Sequence, residues 1–186
     1  SGKYHIILRM DELKLILKAK KKDRQSVTIL YEMYQHQWYA LCLRYQKNEA
    51  DACDVLQESV IKVFQNIKAY DPDKGEFGGW AYRVVLNENL QYLRKAKRHS
   101  HDDLEQVFDL QDNRETALER VSAQELTALI QQLPTGYRTV FNLYVIEGYG
   151  HKEIAKKLGI SEGTSKSQLS KSKAMLRRKL EILNTA

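Results

Sequence analysis

Apolar residues recur every three to four positions along most of this chain, and little interrupts them. Leu13, Leu15, Ile16 and Leu17, with flanking lysines, open a basic helix, and Val27, Leu30, Tyr31 and Tyr34 continue at helical spacing. Trp38, Leu41, Cys42 and Tyr45 extend that stripe; Ala52, Val55, Leu56, Val60, Val63, Phe64 and Ile67 form another. With two prolines and nine glycines in 186 residues, long helices have room to run. Asp71-Pro72 and then Gly75, Gly78 and Gly79 break the chain, because proline disfavours helix before it and glycine loosens it. A third long helix is predicted from about Trp80 to Lys97, after which the periodicity fades until Leu118. Further helices are predicted over roughly 118–132, stopping at Leu133-Pro134, and over about 136–147, ending at Gly148. Two short ones lie either side of Gly159. No stretch alternates apolar and polar residues convincingly enough for a sheet. The prediction is an all-α fold of two small helical domains, at 10–98 and 118–184, joined by an acidic flexible linker at 99–117.

Charge divides the chain in the same places. Residues 80–98 hold five basic residues (Arg83, Arg94, Lys95, Lys97, Arg98) against Glu88 alone. Residues 102–125 hold eight acidic residues against Arg114 and Arg120, and residues 151–186 hold nine basic against three acidic. A basic, acidic, basic order points to two polyanion-binding modules joined by a segment that avoids the polyanion. At 42% apolar and 29% charged residues, the chain is too hydrophobic for a disordered tail and too charged for a membrane protein. No run of about 18 apolar residues and no charged-then-apolar leader occurs, which argues against membrane insertion and secretion. Cys42 and Cys53 form no CxxC pair, so both are expected to be small buried apolar residues in a reducing, cytoplasmic setting.

The sharpest local signal is HKEIAKKLGISEGTSKSQLSKSK (151–173). Ile154, Ala155 and Leu158 make the apolar face of a first helix, and Ala155 is small where a second helix crosses. Gly159 allows the positive φ of a tight turn, Ile160 fills the core, and Ser161 is suited to cap the next helix. That helix carries Glu162, Thr164, Ser165, Lys166, Ser167, Gln168, Ser170, Lys171 and Lys173, polar and basic groups suited to a major groove. The pattern reads as a DNA-binding helix-turn-helix, against the alternative of an ordinary helical hairpin with a solvated basic face.

Residues 70–98 combine a glycine loop with a helix of aromatics, amides and cations. Phe77, Trp80, Tyr82 and Tyr92 offer stacking faces, Asn87, Asn89 and Gln91 offer hydrogen bonds to base edges, and Arg83 and Arg94–Arg98 offer phosphate charge. Unpaired nucleic acid favours that mixture, since stacking contributes roughly 1–3 kcal/mol per base. Trp80 and Val84 also fit a core. Residues 51–64 form an amphipathic helix with Asp51, Asp54, Gln57 and Glu58 on its polar surface and Ile61 nearby.

Taken together, NEADACDVLQESVIKVFQNI (48–67), DPDKGEFGGWAYRVVLN (71–87), QYLRKAKR (91–98) and 133–180 resemble a bacterial sigma factor of the small, two-domain extracytoplasmic-function (ECF) group. The resemblance implies that Asp51, Asp54, Val55, Gln57, Glu58 and Ile61 dock on the clamp helices of core RNA polymerase. It implies that Lys68, Tyr70, Phe77, Tyr82, Arg83, Asn87, Gln91, Arg94, Lys95, Lys97 and Arg98 melt and hold the single-stranded minus-ten element. Ser161, Glu162, Thr164, Lys166, Ser167, Gln168, Ser170, Lys171 and Lys173 would read the double-stranded minus-thirty-five element. The linker would thread toward the polymerase interior. The polymerase flap and an anti-sigma protein are further implied partners. The chain departs from the family pattern at Ser165 (usually valine), Gln168 (often arginine), Gln91 (usually aspartate) and Leu86 (usually basic).

No Walker loop, HExxH or GxSxG motif appears, so neither an enzyme nor a cofactor is expected. His99 and His101 lack a third ligand and read as a solvated pair rather than a metal site. A stand-alone regulator would explain the helix-turn-helix but not Phe77–Arg98 or the polar helix. A nucleic-acid enzyme lacks clustered carboxylates, and a pure interaction protein is distinguished only by transcription.

Overall fold

The computed structural model describes residues 2–99 and 122–185, with side chains described over 11–96 and 122–182. Among these residues there is no strand; the elements are helices α1 (Gly2–Lys20), α2 (Arg24–Tyr45), α3 (Glu49–Gln65), α4 (Phe77–His99), α5 (Ala123–Gln131), α6 (Thr135–Phe141), α7 (His151–Leu158) and α8 (Glu162–Thr185). The predicted all-α class is the one observed. Two compact units emerge, one of residues up to Cys42 with Ala50–Tyr92, the other of Leu43–Glu49 with residues from Leu93 on. The predicted linker at 99–117 and its histidine pair lie outside the described residues, apart from the backbone of His99 at the end of α4.

In the first unit the long opening helix is two helices. Lys22 takes φ +67, and Asp23 accepts a hydrogen bond from the Ser26 amide at 2.9 Å, so a new helix starts where the apolar spacing showed no break. Hydrogen bonds from the Ser26 hydroxyl, then from its amide, hold the Asp23 carboxyl below the usual carboxylate range. The core gathers Ile16, Leu30, Trp38, Leu41, Val55, Val63, Phe77, Ala81, Val85, Leu86 and Leu90. Rings interlock within it: Tyr34 stacks on Trp38 at 5.8 Å, and Phe77 meets Tyr34, Tyr70 and Trp80 at 5.6, 5.4 and 5.7 Å. Burial, and then the hydrogen bond to Glu12, raise the pKa of the Tyr34 hydroxyl.

The glycine loop is shorter than the sequence suggests. Gly75, at φ +140, lies outside helix, but α4 begins at Phe77 and takes Gly78 and Gly79 into its first turn. Gly78 is there for space: a Cβ would stand 2.8 Å from Tyr34 Cε1. Two further expectations are corrected. Cys53 is exposed, because it falls on the outer side of α3, while Cys42 is buried. Asn89 is fully buried and donates to the Val85 carbonyl at 2.9 Å and to Cys42 Sγ at 3.3 Å, so it offers nothing to a base edge.

Within the second unit, α5 starts with a capping box at Ser122. Its hydroxyl accepts from the Glu125 amide at 3.2 Å, and the Glu125 carboxylate accepts from the Ser122 amide at 2.9 Å. Residues 118–121 of the predicted helix lie outside the described residues. The helix over 136–147 is α6 followed by a wider turn over Asn142–Ile146, where the Glu147 amide reaches back to the Asn142 carbonyl at 2.9 Å. Arg138, buried, joins α5 to α6 by donating to the carbonyls of Gln131 at 3.1 Å and Leu133 at 2.8 Å. The last helix is not short: α8 runs for 24 residues, with Leu169, Leu176 and Leu180 on its buried side.

Candidate nucleic-acid interface

The turn between α7 and α8 has the predicted chemistry. Gly159 sits at φ 66, ψ 38, and its left-handed conformation ends α7. Ser161 caps α8, its Oγ accepting from the Thr164 amide at 2.9 Å. Ile160 is half-buried and Ile154 fully buried, so the hairpin closes on an apolar seam.

Periodicity then sorts α8 into faces. Ser165, Leu169, Ser172, Leu176 and Leu180 point inward, where the two serines are small enough for close packing. Ser165 is thus not a groove residue as the sequence reading had it; it is buried, with its Oγ 2.9 Å from His151 Nδ1. Glu162, Lys166, Ser167, Ser170 and Lys173 are exposed and form the outward stripe. Thr164, Gln168 and Lys171 are half-buried at one flank. Gln168 packs over Gly136, where a Cβ would lie 2.9 Å from its Nε2, and Lys171 stands over the Tyr137 ring at 5.9 Å. Ser161 is exposed, although its hydroxyl is engaged as the cap.

Around this hairpin lie features the sequence reading missed. His151 stacks on Tyr144 at 4.6 Å, and Lys157 and Lys173 stand over the rings of Tyr149 and Tyr144 at 4.7 and 5.9 Å. Tyr144, Val145 and Ile146 are exposed on the widened turn. An even apolar spacing gives no hint of that turn; the ring partners of the lysines leave no mark in sequence either.

Helix α4 carries a second outward stripe. Arg83, Asn87, Gln91, Arg94 and Lys95 are all exposed at near-helical spacing, and Lys68 is exposed on the turn before. The side chains of Lys97 and Arg98 lie outside the described residues. Two aromatics assigned to DNA are instead core. Phe77 is 0% exposed and Tyr70 5%, because both are held in the ring cluster, and Tyr70 also donates its hydroxyl to the Gly75 carbonyl at 2.9 Å. Trp80 and Tyr82 are half-buried. Leu86 is buried.

On α3, Asp54, Gln57, Glu58 and Ile61 form one exposed face, with Ile61 48% accessible. Val55, at 1%, belongs to the core and not to that face. Asp51 is half-buried and accepts from the Tyr92 hydroxyl at 3.1 Å. Burial first, then Asp51, raise the pKa of that hydroxyl. Tyr92 is therefore engaged rather than a free stacking face.

Two outward cationic stripes and a helix-turn-helix define a nucleic-acid-binding helical protein. Residues 30–99 match the family model for sigma-70 region 2, and residues 123–176 match that for sigma-70 region 4. The ECF RNA polymerase sigma factor SigW of Bacillus subtilis is 30% identical over 182 residues, covering 91% of this chain and 97% of that protein. SigM of the same organism is 30% identical, with 82% and 93% covered. SigM of Mycobacterium tuberculosis is 28% identical, with 88% and 81% covered. The sigma factor RpoE of Bartonella quintana, solved with the anti-sigma factor NepR, shares the fold at a TM-score of 0.51 and 18% identity, with 83% of this chain and 96% of that one covered. The chain belongs to the ECF RNA polymerase sigma factors, non-catalytic subunits of transcription initiation. No helix among the described residues is long and apolar enough to cross a membrane.

Proposed function

We propose that the chain binds core RNA polymerase and directs it to promoters through two separate DNA contacts. The observation that carries this reading is the pair of outward stripes, one on α4 and one on α8, in a chain of this family. In this reading Asp54, Gln57, Glu58 and Ile61 dock on the polymerase clamp helices, an apolar residue ringed by acids and an amide. Arg83, Asn87, Gln91, Arg94 and Lys95, with Lys68, face the minus-ten element, the cations taking phosphates and the amides taking base edges. Lys97 and Arg98 extend the same basic run in sequence. Tyr82 is the assigned aromatic that retains surface for stacking. Glu162, Lys166, Ser167, Ser170 and Lys173 enter the major groove of the minus-thirty-five element, with Ser161, Thr164, Gln168 and Lys171 along the rim.

Opening DNA in this scheme uses binding energy: unstacking costs a few kcal/mol per flipped base, and stacking with phosphate contacts offsets it. The acidic segment 99–117 threads toward the polymerase interior. An anti-sigma protein is a further partner, a reading supported by the solved relative's complex with NepR. Reconstituted transcription with core polymerase on a promoter library tests the whole. Protein-dependent initiation from a defined set of start sites is expected. Binding to a palindromic duplex without polymerase, and no initiation with it, would favour a stand-alone regulator.

A further inference from the structure

The resemblance assigns Asp51 to the polymerase surface, but its side chain is committed elsewhere. We infer that Asp51 and Tyr92 are a positioning pair that sets the basic end of α4 against α3, and that Asp51 does not dock on polymerase. This rests on the roles proposed above for α3 and α4.

The buried residues of α4 run Phe77, Ala81, Val85, Leu86, Asn89 and Leu90, and past Leu90 the described part of the helix buries no further residue. Tyr92 stands at this exit, and Arg94 and Lys95 lie exposed within the next turn. A helix leaving its core behaves as a lever. At a rise of 1.5 Å per residue, a tilt of about 10° at Leu90 displaces Lys95 by about 1 Å, enough to spoil a phosphate contact.

The hydrogen bond from Tyr92 to Asp51 Oδ1 at 3.1 Å ties this point of the lever to the first turn of α3. Its partner oxygen is ionic, which makes the bond stronger than one between neutral groups. The half-buried Asp51 contrasts with the exposed Asp54, Gln57, Glu58 and Ile61, which begin three residues further along α3. Orientation of the cationic surface of α4 is thereby referred to the helix that carries the proposed polymerase-docking face.

The test uses holoenzyme assembled with wild type, Tyr92→Phe, Asp51→Asn and the double variant. Affinity for core polymerase, open-complex formation on a promoter selected with wild type, and unfolding by tryptophan fluorescence are measured for each. Both single variants are expected to keep wild-type affinity for polymerase and to lose about tenfold in open-complex formation, the worth of one charge-assisted hydrogen bond. The double variant should lose no more than either single one. Weakened polymerase binding in Asp51→Asn with Tyr92→Phe unaffected would overturn the inference, since Asp51 would then be a docking residue. So would open-complex formation that is unchanged, or a loss that vanishes once equal folded fractions are compared. Wild type that directs no initiation at all would defeat the functional reading itself, before any variant is compared.

Discussion

At Phe77 sequence resemblance and structure make opposite claims, and Phe77→Ala separates them. A base-stacking residue is dispensable for folding; Phe77 is 0% exposed and touches the rings of Tyr34, Tyr70 and Trp80 at centroid distances of 5.4 to 5.7 Å. Removing a buried phenylalanine costs about 3–5 kcal/mol, the lost transfer energy plus the cavity left among partners that cannot collapse. That is a large share of the roughly 5–15 kcal/mol by which domains are stable. Both tryptophans of the chain, Trp38 and Trp80, belong to the first unit, so their fluorescence in a urea titration reports that unit alone. The midpoint should fall steeply. Phe77→Leu keeps much of the apolar volume and loses mainly the ring–ring geometry, about 0.5–1.5 kcal/mol per pair, so its midpoint should lie between the two. An unchanged midpoint for Phe77→Ala, accompanied by lost promoter opening, would refute the core assignment.

Gly78→Ala should destabilise the first unit even though alanine favours helix by about 1 kcal/mol, because the new methyl meets a Tyr34 ring fixed by Trp38 and Glu12; a raised urea midpoint would contradict this. Asp23 should titrate below the ordinary carboxylate range by NMR. Its folded pKa is lowered, so the stability it contributes is present above its unfolded pKa and is lost as pH falls through the folded one. Ser26→Ala removes the hydroxyl donor and should return Asp23 part of the way toward the ordinary value, and an unmoved titration would exclude that hydroxyl as the main cause. Lys95→Ala should weaken holoenzyme binding on all promoters alike and reduce the salt slope by about one phosphate, whereas Lys166→Ala should change the ranking of upstream elements. The reverse pattern would exchange the roles of α4 and α8.

What the sequence made legible follows a physical division. Helix periodicity exposed the all-α class, and Gly159 with Ser161 exposed the turn into α8, because those signals are local: a left-handed glycine and a capping hydroxyl act within a few residues. Breaks without proline or glycine were missed, since the start of α2 depends on Asp23 and Ser26, whose role is visible only once the chain turns. Spacing could not tell which aromatics face water. Phe77 and Tyr82 look alike in a list of rings, yet one closes a core and the other does not. Polarity alone suggests groove contacts for residues such as Gln168 and Ser165. Their surroundings, Gly136 for one and His151 for the other, come from different helices, and no local pattern reports them.

Permanganate footprinting of holoenzyme on a selected promoter tests the central claim most directly, since it sees unpaired thymines while a nuclease footprint on the same complex sees upstream contact. Wild type should open the minus-ten region and protect the minus-thirty-five region. Replacing Arg83 and Gln91 with alanine should abolish opening but keep upstream protection, and replacing Lys166 and Ser170 should do the converse. Opening and protection that ignore both stripes would contradict the account.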